Sequence, residues 1–121
     1  MGFFSKSTAS TRVFPWKNIA SVEELLSAFE QPGKKVFFKH STRCSISSMA
    51  LRGFEKEWDL ERDQPELYFI DLIAHRDVSN KLAELTHVTH QSPQIIVLDH
   101  TALIHDASHY KIEATTVQNL L

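Results

Sequence analysis

One cysteine, Cys44, stands in 121 residues, so no disulfide can form within the chain. That argues against a stapled secreted scaffold and fits a thiol kept in a reducing compartment, so a cytoplasmic location is expected. Charge of one sign is missing too: 13 Lys and Arg face 15 Asp and Glu. So even a balance implies neither a nucleic-acid footprint nor a polybasic membrane patch. No stretch approaches the ~20 apolar residues of a membrane span. The N-terminal Met1-Gly2-Phe3-Phe4-Ser5-Lys6 lacks the apolar run of a signal peptide, and Lys6 stands where a myristoylation signal needs Ser or Thr. There is no internal repeat, no low-complexity segment and no sign of a second domain. A chain of this length buries roughly two-thirds of its unfolded surface, enough for a core without staples.

What is present is periodic. Residues 1–14 are Ser/Thr-rich and aperiodic and read as a loose arm, leaving 15–121 as one domain. Ser21 and Glu24 form a capping-box pattern, and Val22, Leu25, Leu26 and Phe29 follow at helical spacing until Pro32-Gly33. Val36-Phe37-Phe38 is a short apolar run and reads as a buried strand. From Ser45, the residues Ile46, Met49, Ala50, Gly53, Phe54 and Trp58 repeat as a helix. Leu67–Ile73 is a second strand, Val78, Leu82 and Leu85 mark a helix, and Ile95–Leu98 is a third strand. Asp99-His100 reads as a turn with Ala102–His105 returning, and Ala114, Val117 and Leu121 close the chain as a helix. Strands joined through helices should be parallel and the hairpin antiparallel, giving an α/β fold with a mixed sheet of about four strands flanked by helices.

Cys44 falls where the first strand gives way to a helix. A helix start offers unpaired N–H groups and the positive end of the macrodipole, which favour a thiolate, the reactive form of cysteine. Ser47 can add a hydroxyl or N–H donor three residues on, and Lys39 and Arg43 add positive charge. Lowering a thiol's proton affinity raises its thiolate population more than it costs in nucleophilicity, and makes the sulfur a better leaving group. The alternative is a buried, inert cysteine, a common fate for free thiols. The strand-to-helix position and its polar neighbours favour reactivity.

Cys44-Ser45-Ile46-Ser47 opening a helix, with Ser92-Pro93 leading into a later strand, resembles the thioredoxin superfamily. Phe38-Lys39-His40-Ser41-Thr42-Arg43-Cys44 with Ile46-Ser47-Ser48, and His90-Gln91-Ser92-Pro93-Gln94, narrow the resemblance to the monothiol bacilliredoxin family, from about Trp16 onward. Ser45 is a departure, since proline is expected after the cysteine in many relatives. The resemblance implies a thioredoxin-like fold and monothiol thiol-disulfide exchange, with Cys44 as nucleophile and Ser47 supporting its thiolate. It implies a cis Ser92–Pro93 bond, with both residues shaping the substrate groove. Arg43 and Lys39 would attract an acidic small thiol. The co-substrate would be bacillithiol or a similar low-molecular-weight thiol, the partners S-thiolated client proteins, and the protein a monomer with no tightly bound cofactor.

Other readings are weaker. Seven histidines invite a metal site, but there is no HExxH and no second cysteine, so surface and turn histidines fit better. His40 stands near Cys44 and either biases its charge or simply ends a strand. A phosphatase loop needs Arg where Ala50 stands, and a peroxiredoxin needs Thr where Ser41 stands. A cluster-sharing monothiol glutaredoxin usually carries glycine in place of Ser45. The aromatic residues Phe37, Phe38, Phe54, Trp58, Tyr68 and Phe69 read as core, and Lys34-Lys35 as a solvated turn. The remaining rival is a non-catalytic thioredoxin-fold binding or stress module.

Overall fold

Phe37 and Phe38 are adjacent, both fully buried, and packed into different halves of the core. That is what a strand does when both faces of its sheet are covered, because successive side chains point to opposite sides. The computed structural model describes residues 13–121. Its elements are strand β1 (Lys17–Asn18), helix α1 (Val22–Glu30), β2 (Lys34–His40), α2 (Ser45–Glu57), β3 (Glu66–Asp71) and α3 (Arg76–Thr86). The hairpin β4 (Gln94–Asp99) and β5 (Ala102–Ser108), a 3-10 turn (His109–Lys111) and α4 (Ala114–Gln118) follow. The sheet has five strands in the order β1-β3-β2-β4-β5, with β2 parallel to β3 and antiparallel to β4. This is the expected mixed α/β architecture with one strand more than expected. β1 is a two-residue edge pairing beside β3, too short to leave any periodicity in the sequence.

Helices α1 and α3 cover one face with Leu25, Phe29, Val78 and Leu82 against Phe37, Tyr68 and Ile96. Helices α2 and α4 cover the other, with Phe54, Trp58 and Val117 against Val36, Phe38 and Val97. Phe14 and Trp16 join this second half: Phe14 lies 4.8 Å from the Trp16 ring and 6.2 Å from Phe54, centroid to centroid. Packing therefore already begins at Phe14, just inside the expected arm, whose residues 1–12 lie outside the described residues.

The start of α1 is built from its own sequence. Ser21 Oγ accepts from the Glu24 N–H at 3.1 Å, and the Glu24 carboxylate accepts from the Ala20 N–H at 2.7 Å. Gly33 turns the chain at φ 87°, a left-handed conformation that glycine adopts without strain, and its carbonyl accepts from the His100 N–H at 2.8 Å. Lys35 corrects an expectation. It is not in a solvated turn but inside β2, fully buried. Strand alternation points it at the C-terminal end of α1, which has no basic residue in its last turn. Its ammonium donates to the carbonyls of Ala28 (2.9 Å), Phe29 and Gln31 (2.5 Å) at the helix end, where carbonyls run out of intrahelical donors; the Ala28 carbonyl also accepts from the Gln31 N–H at 3.2 Å.

Candidate functional site

β2 ends at His40, and three residues of loop carry the chain to Cys44 at the N-cap of α2. Cys44 has extended backbone angles (φ −114°, ψ 121°), and its carbonyl accepts the first helical bond from the Ser48 N–H at 3.1 Å. Its N–H donates to the Ser41 carbonyl at 3.2 Å, closing the loop into a turn. The sulfur itself makes no capping hydrogen bond, and the residue is half-buried. No acidic side chain stands in the first turn of α2. A thiolate here meets the positive end of a 13-residue helix with no carboxylate in that turn to oppose it.

Ser47, the third residue of α2, is fully buried. Its Oγ accepts from the Ser41 N–H at 3.0 Å and lies 2.7 Å from His40 Nδ1. It thus pins the loop that carries Cys44 to the first turn of the helix. His40 is almost wholly buried, with its ring 5.6 Å from that of Phe69. Burial lowers its pKa, while Asp71 and Glu55 pull it up. The link from His40 to Ser47 was readable in principle. Alternation along β2 puts His40 on the Phe38 face, the face α2 covers, and Ser47 sits one turn into α2.

The same alternation sends Lys39 the other way. It is fully buried on the α1–α3 side, its Nζ 3.4 Å from His90 Nδ1, which also meets Ser79 Oγ at 3.0 Å. Burial, aided by Arg76, lowers the Lys39 pKa to about 8. His90 is lowered by burial, then by Lys39 and Arg76. Lys39 is therefore not an open cation beside the sulfur, whereas Arg43, next to Cys44, is exposed.

The Ser92–Pro93 peptide bond is cis. In the antiparallel register Lys39 pairs with Gln94, so Pro93 lies one step beyond that pair, at the sheet end from which the Cys44 loop departs. Pro93 is buried and its carbonyl accepts from the His109 N–H at 3.1 Å. The Gln94 amide holds the preceding loop, donating to the Thr89 carbonyl at 3.0 Å and accepting from the Gln91 N–H at 3.4 Å. Ser92 Oγ is buried without a hydrogen-bond partner. The fold thus gathers Arg43, Cys44, Ser47, Ser92 and Pro93 at one end of the sheet and sets Lys39 beneath it. Among the described residues no group of three His, Cys, Asp or Glu side chains is arranged to hold a metal ion.

A mixed sheet covered on both faces, with a cysteine capping the helix after β2 and a cis-proline entering β4, defines a thioredoxin-fold oxidoreductase. The chain is similar to a proposed oxidoreductase with a thioredoxin fold, at 26% identity and a TM-score of 0.77, over 87% of this chain and 92% of that one. Thioredoxin from Trypanosoma brucei brucei is similar in fold at 15% identity and a TM-score of 0.70, covering 91% and 92%. Malassezia sympodialis thioredoxin is 15% identical with a TM-score of 0.63, covering 90% and 89%. The family model described as monothiol bacilliredoxin BrxC matches residues 17–117, and the chain belongs to that family.

Proposed function

We propose that this protein removes a low-molecular-weight thiol, bacillithiol by family, from mixed disulfides on client proteins. The observation that carries the reading is the position of Cys44: the one thiol of the chain, half-buried, at a helix N-cap with its sulfur free of capping bonds. The Cys44 thiolate attacks the small thiol's sulfur in the mixed disulfide. A new S–S bond joins that sulfur to Cys44, and the client leaves as a thiolate that takes a proton from water. No second cysteine exists to resolve the adduct. A second small-thiol thiolate, or another redoxin, therefore attacks it and regenerates the Cys44 thiolate. The exposed Arg43 guanidinium is the cation available to an acidic thiol, and Ser92 and Pro93 line the groove that receives the client's extended chain. We assign this activity to the cytoplasm, where such thiols are kept reduced. No helix among the described residues is long and apolar enough to cross a membrane.

The test is intact mass after incubation with oxidised bacillithiol and, separately, oxidised glutathione. The expected result is an adduct of one small-thiol mass on Cys44, formed faster with bacillithiol and absent in Cys44→Ser. A Cys44→Ser protein that still reduced a bacillithiol-modified client at the wild-type rate would replace this reading with the non-catalytic module.

A further inference from the structure

We propose that His90 is a positioning residue for the groove wall made by Ser92 and Pro93: its bare Nδ1 accepts from Ser79 of α3 and Lys39 of β2, this ties down the loop that leads into β4, and a proton on Nδ1 releases that loop. The inference deepens the exchange reading and rests on it for its purpose, but the tie and its release belong to the folded chain alone.

Residues 89–93 join Val88, which packs on the α1–α3 half of the core, to the start of β4. From the β4 side the buried Gln94 amide holds them, at 3.0 Å to the Thr89 carbonyl and 3.4 Å to the Gln91 N–H. From the other side His90 Nδ1 lies 3.0 Å from Ser79 Oγ and 3.4 Å from Lys39 Nζ. Ser92 adds nothing to this hold, because its buried Oγ has no hydrogen-bond partner among the described residues. His90 is thus the side chain with which the loop grips α3 and β2, just ahead of the cis Ser92–Pro93 bond.

The chemistry of these three groups fixes where the ring proton sits. A neutral imidazole has one N–H and one nitrogen that accepts with a single lone pair. A charged lysine only donates, and a pKa of about 8 leaves Lys39 charged at pH 7. A proton on Nδ1 would set two donors against each other, so Nδ1 is bare and Nε2 carries the hydrogen. The Ser79 hydroxyl and the Lys39 ammonium share the Nδ1 lone pair, and both side chains are fully buried, which keeps water from competing for it. A second ring proton can go only to Nδ1, where it removes the acceptor and faces the ammonium. Burial first, then the cations Lys39 on β2 and Arg76 on α3, hold the ring below its ordinary pKa of 6.5. Ser79 on α3 and the Gln94 amide on β4 are neutral. In an opened loop the ring regains its ordinary value, so acid below pH 6.5 favours opening.

The experiment reads backbone order parameters of residues 89–92 by nitrogen-15 relaxation in the wild-type protein, well above and well below the midpoint measured on the His90 ring itself. Values of about 0.85 are expected above that midpoint and a fall toward about 0.6 below it, while β2 stays rigid at both. Ring nitrogen-15 spectra at pH 7 are expected to show a bare Nδ1 and a protonated Nε2. The opposite tautomer, or order parameters that ignore the ring's titration, overturns the proposal, and neither reading needs a variant. His90→Asn, whose amide oxygen takes the Nδ1 position and does not titrate, is expected to keep the loop rigid at both pH values, and His90→Leu to free it at both. Lys39→Met removes one of the two cations acting on the ring, so release is expected to begin at a higher pH, and a midpoint that stays or falls overturns the proposal. With a bacillithiol-capped cysteine peptide, His90→Leu is expected to raise KM about three- to ten-fold at unchanged kcat, the worth of one hydrogen bond, and His90→Asn to restore it. A wild-type KM in His90→Leu overturns the positioning role. The relaxation measurements use no thiol, so failure of the exchange reading appears separately, as a peptide that even the wild type leaves unreduced while the loop still follows the ring.

Discussion

Lys35 and Lys39 stand four residues apart on the same face of β2, both fully buried, and physical chemistry gives them opposite signs. Burial pushes both ammonium groups down. Lys35, however, meets three carbonyls at the end of α1, which satisfy its three protons. Lys39 meets one imidazole nitrogen at 3.4 Å and feels the repulsion of Arg76. Its folded pKa of about 8 lies below the ordinary 10.5, so between these values the unfolded chain binds more protons and stability rises with pH. The cost of the charge is fully present below pH 8 and is relieved toward pH 10.5. Lys39→Met is expected to raise the unfolding free energy at pH 7 by on the order of 3 kcal/mol and to flatten its rise above pH 8. Urea unfolding at pH 7 and pH 10 checks this, and a Lys39→Met protein less stable than wild type at pH 7 would contradict it.

The elements carry the matching prediction. α1 is capped at its start by Ser21 and at its end by a lysine from the next strand. Lys35→Met leaves the Phe29 and Gln31 carbonyls without their lysine donor, while the Ala28 carbonyl keeps the Gln31 N–H, and is expected to cost about 1–3 kcal/mol, seen as a lowered urea midpoint with little change in slope. Ser21→Ala is expected to cost about 1 kcal/mol by the same measurement, the usual value of an N-cap side chain. At the start of α2 the roles differ. The cap residue is Cys44, which makes no capping bond, and Ser47 anchors the loop instead through Ser41 and His40. The helix start is thereby held while the sulfur stays uncommitted, which a nucleophile requires.

At the scale of the whole molecule, a five-stranded sheet separates two half-cores that share a backbone and little else. Phe37→Leu and Phe38→Leu are each expected to cost about 1–2 kcal/mol. Although they are neighbours in sequence, their effects should add to within about 0.5 kcal/mol, because the rings pack on opposite sides of the sheet. A double-mutant cycle by urea unfolding checks this, and a larger coupling would mean the halves are not independent. The site lies at one end of this sheet. β2 delivers Cys44 there, and the antiparallel β4 starts there with Pro93, so two segments far apart in sequence meet by strand direction alone.

Much of this was determined by the sequence itself. The capping pattern of Ser21 and Glu24, the apolar runs of β2 and β4 and the helical stripe after Cys44 are local signals. Their order prescribes an α/β sheet with the cysteine at a strand-to-helix junction. Cys44, Arg43, Ser47, Ser92 and Pro93 were singled out from the sequence and its family resemblance, and strand direction brings them to one end of the sheet. What only the tertiary structure decided is where the polar side chains of β2 go. Lys35 read as part of a solvated turn, Lys39 as a cation near the thiol and His40 as either a charge beside Cys44 or a plain strand end, yet all three are buried. The edge strand β1 and the packing of Phe14 against Trp16 and Phe54 were likewise hidden, since each depends on partners tens of residues away. The physical reason is the same in each case. Strand alternation states which residues share a face, but whether that face offers a lysine three carbonyls, one imidazole or water is settled by the helix that packs there.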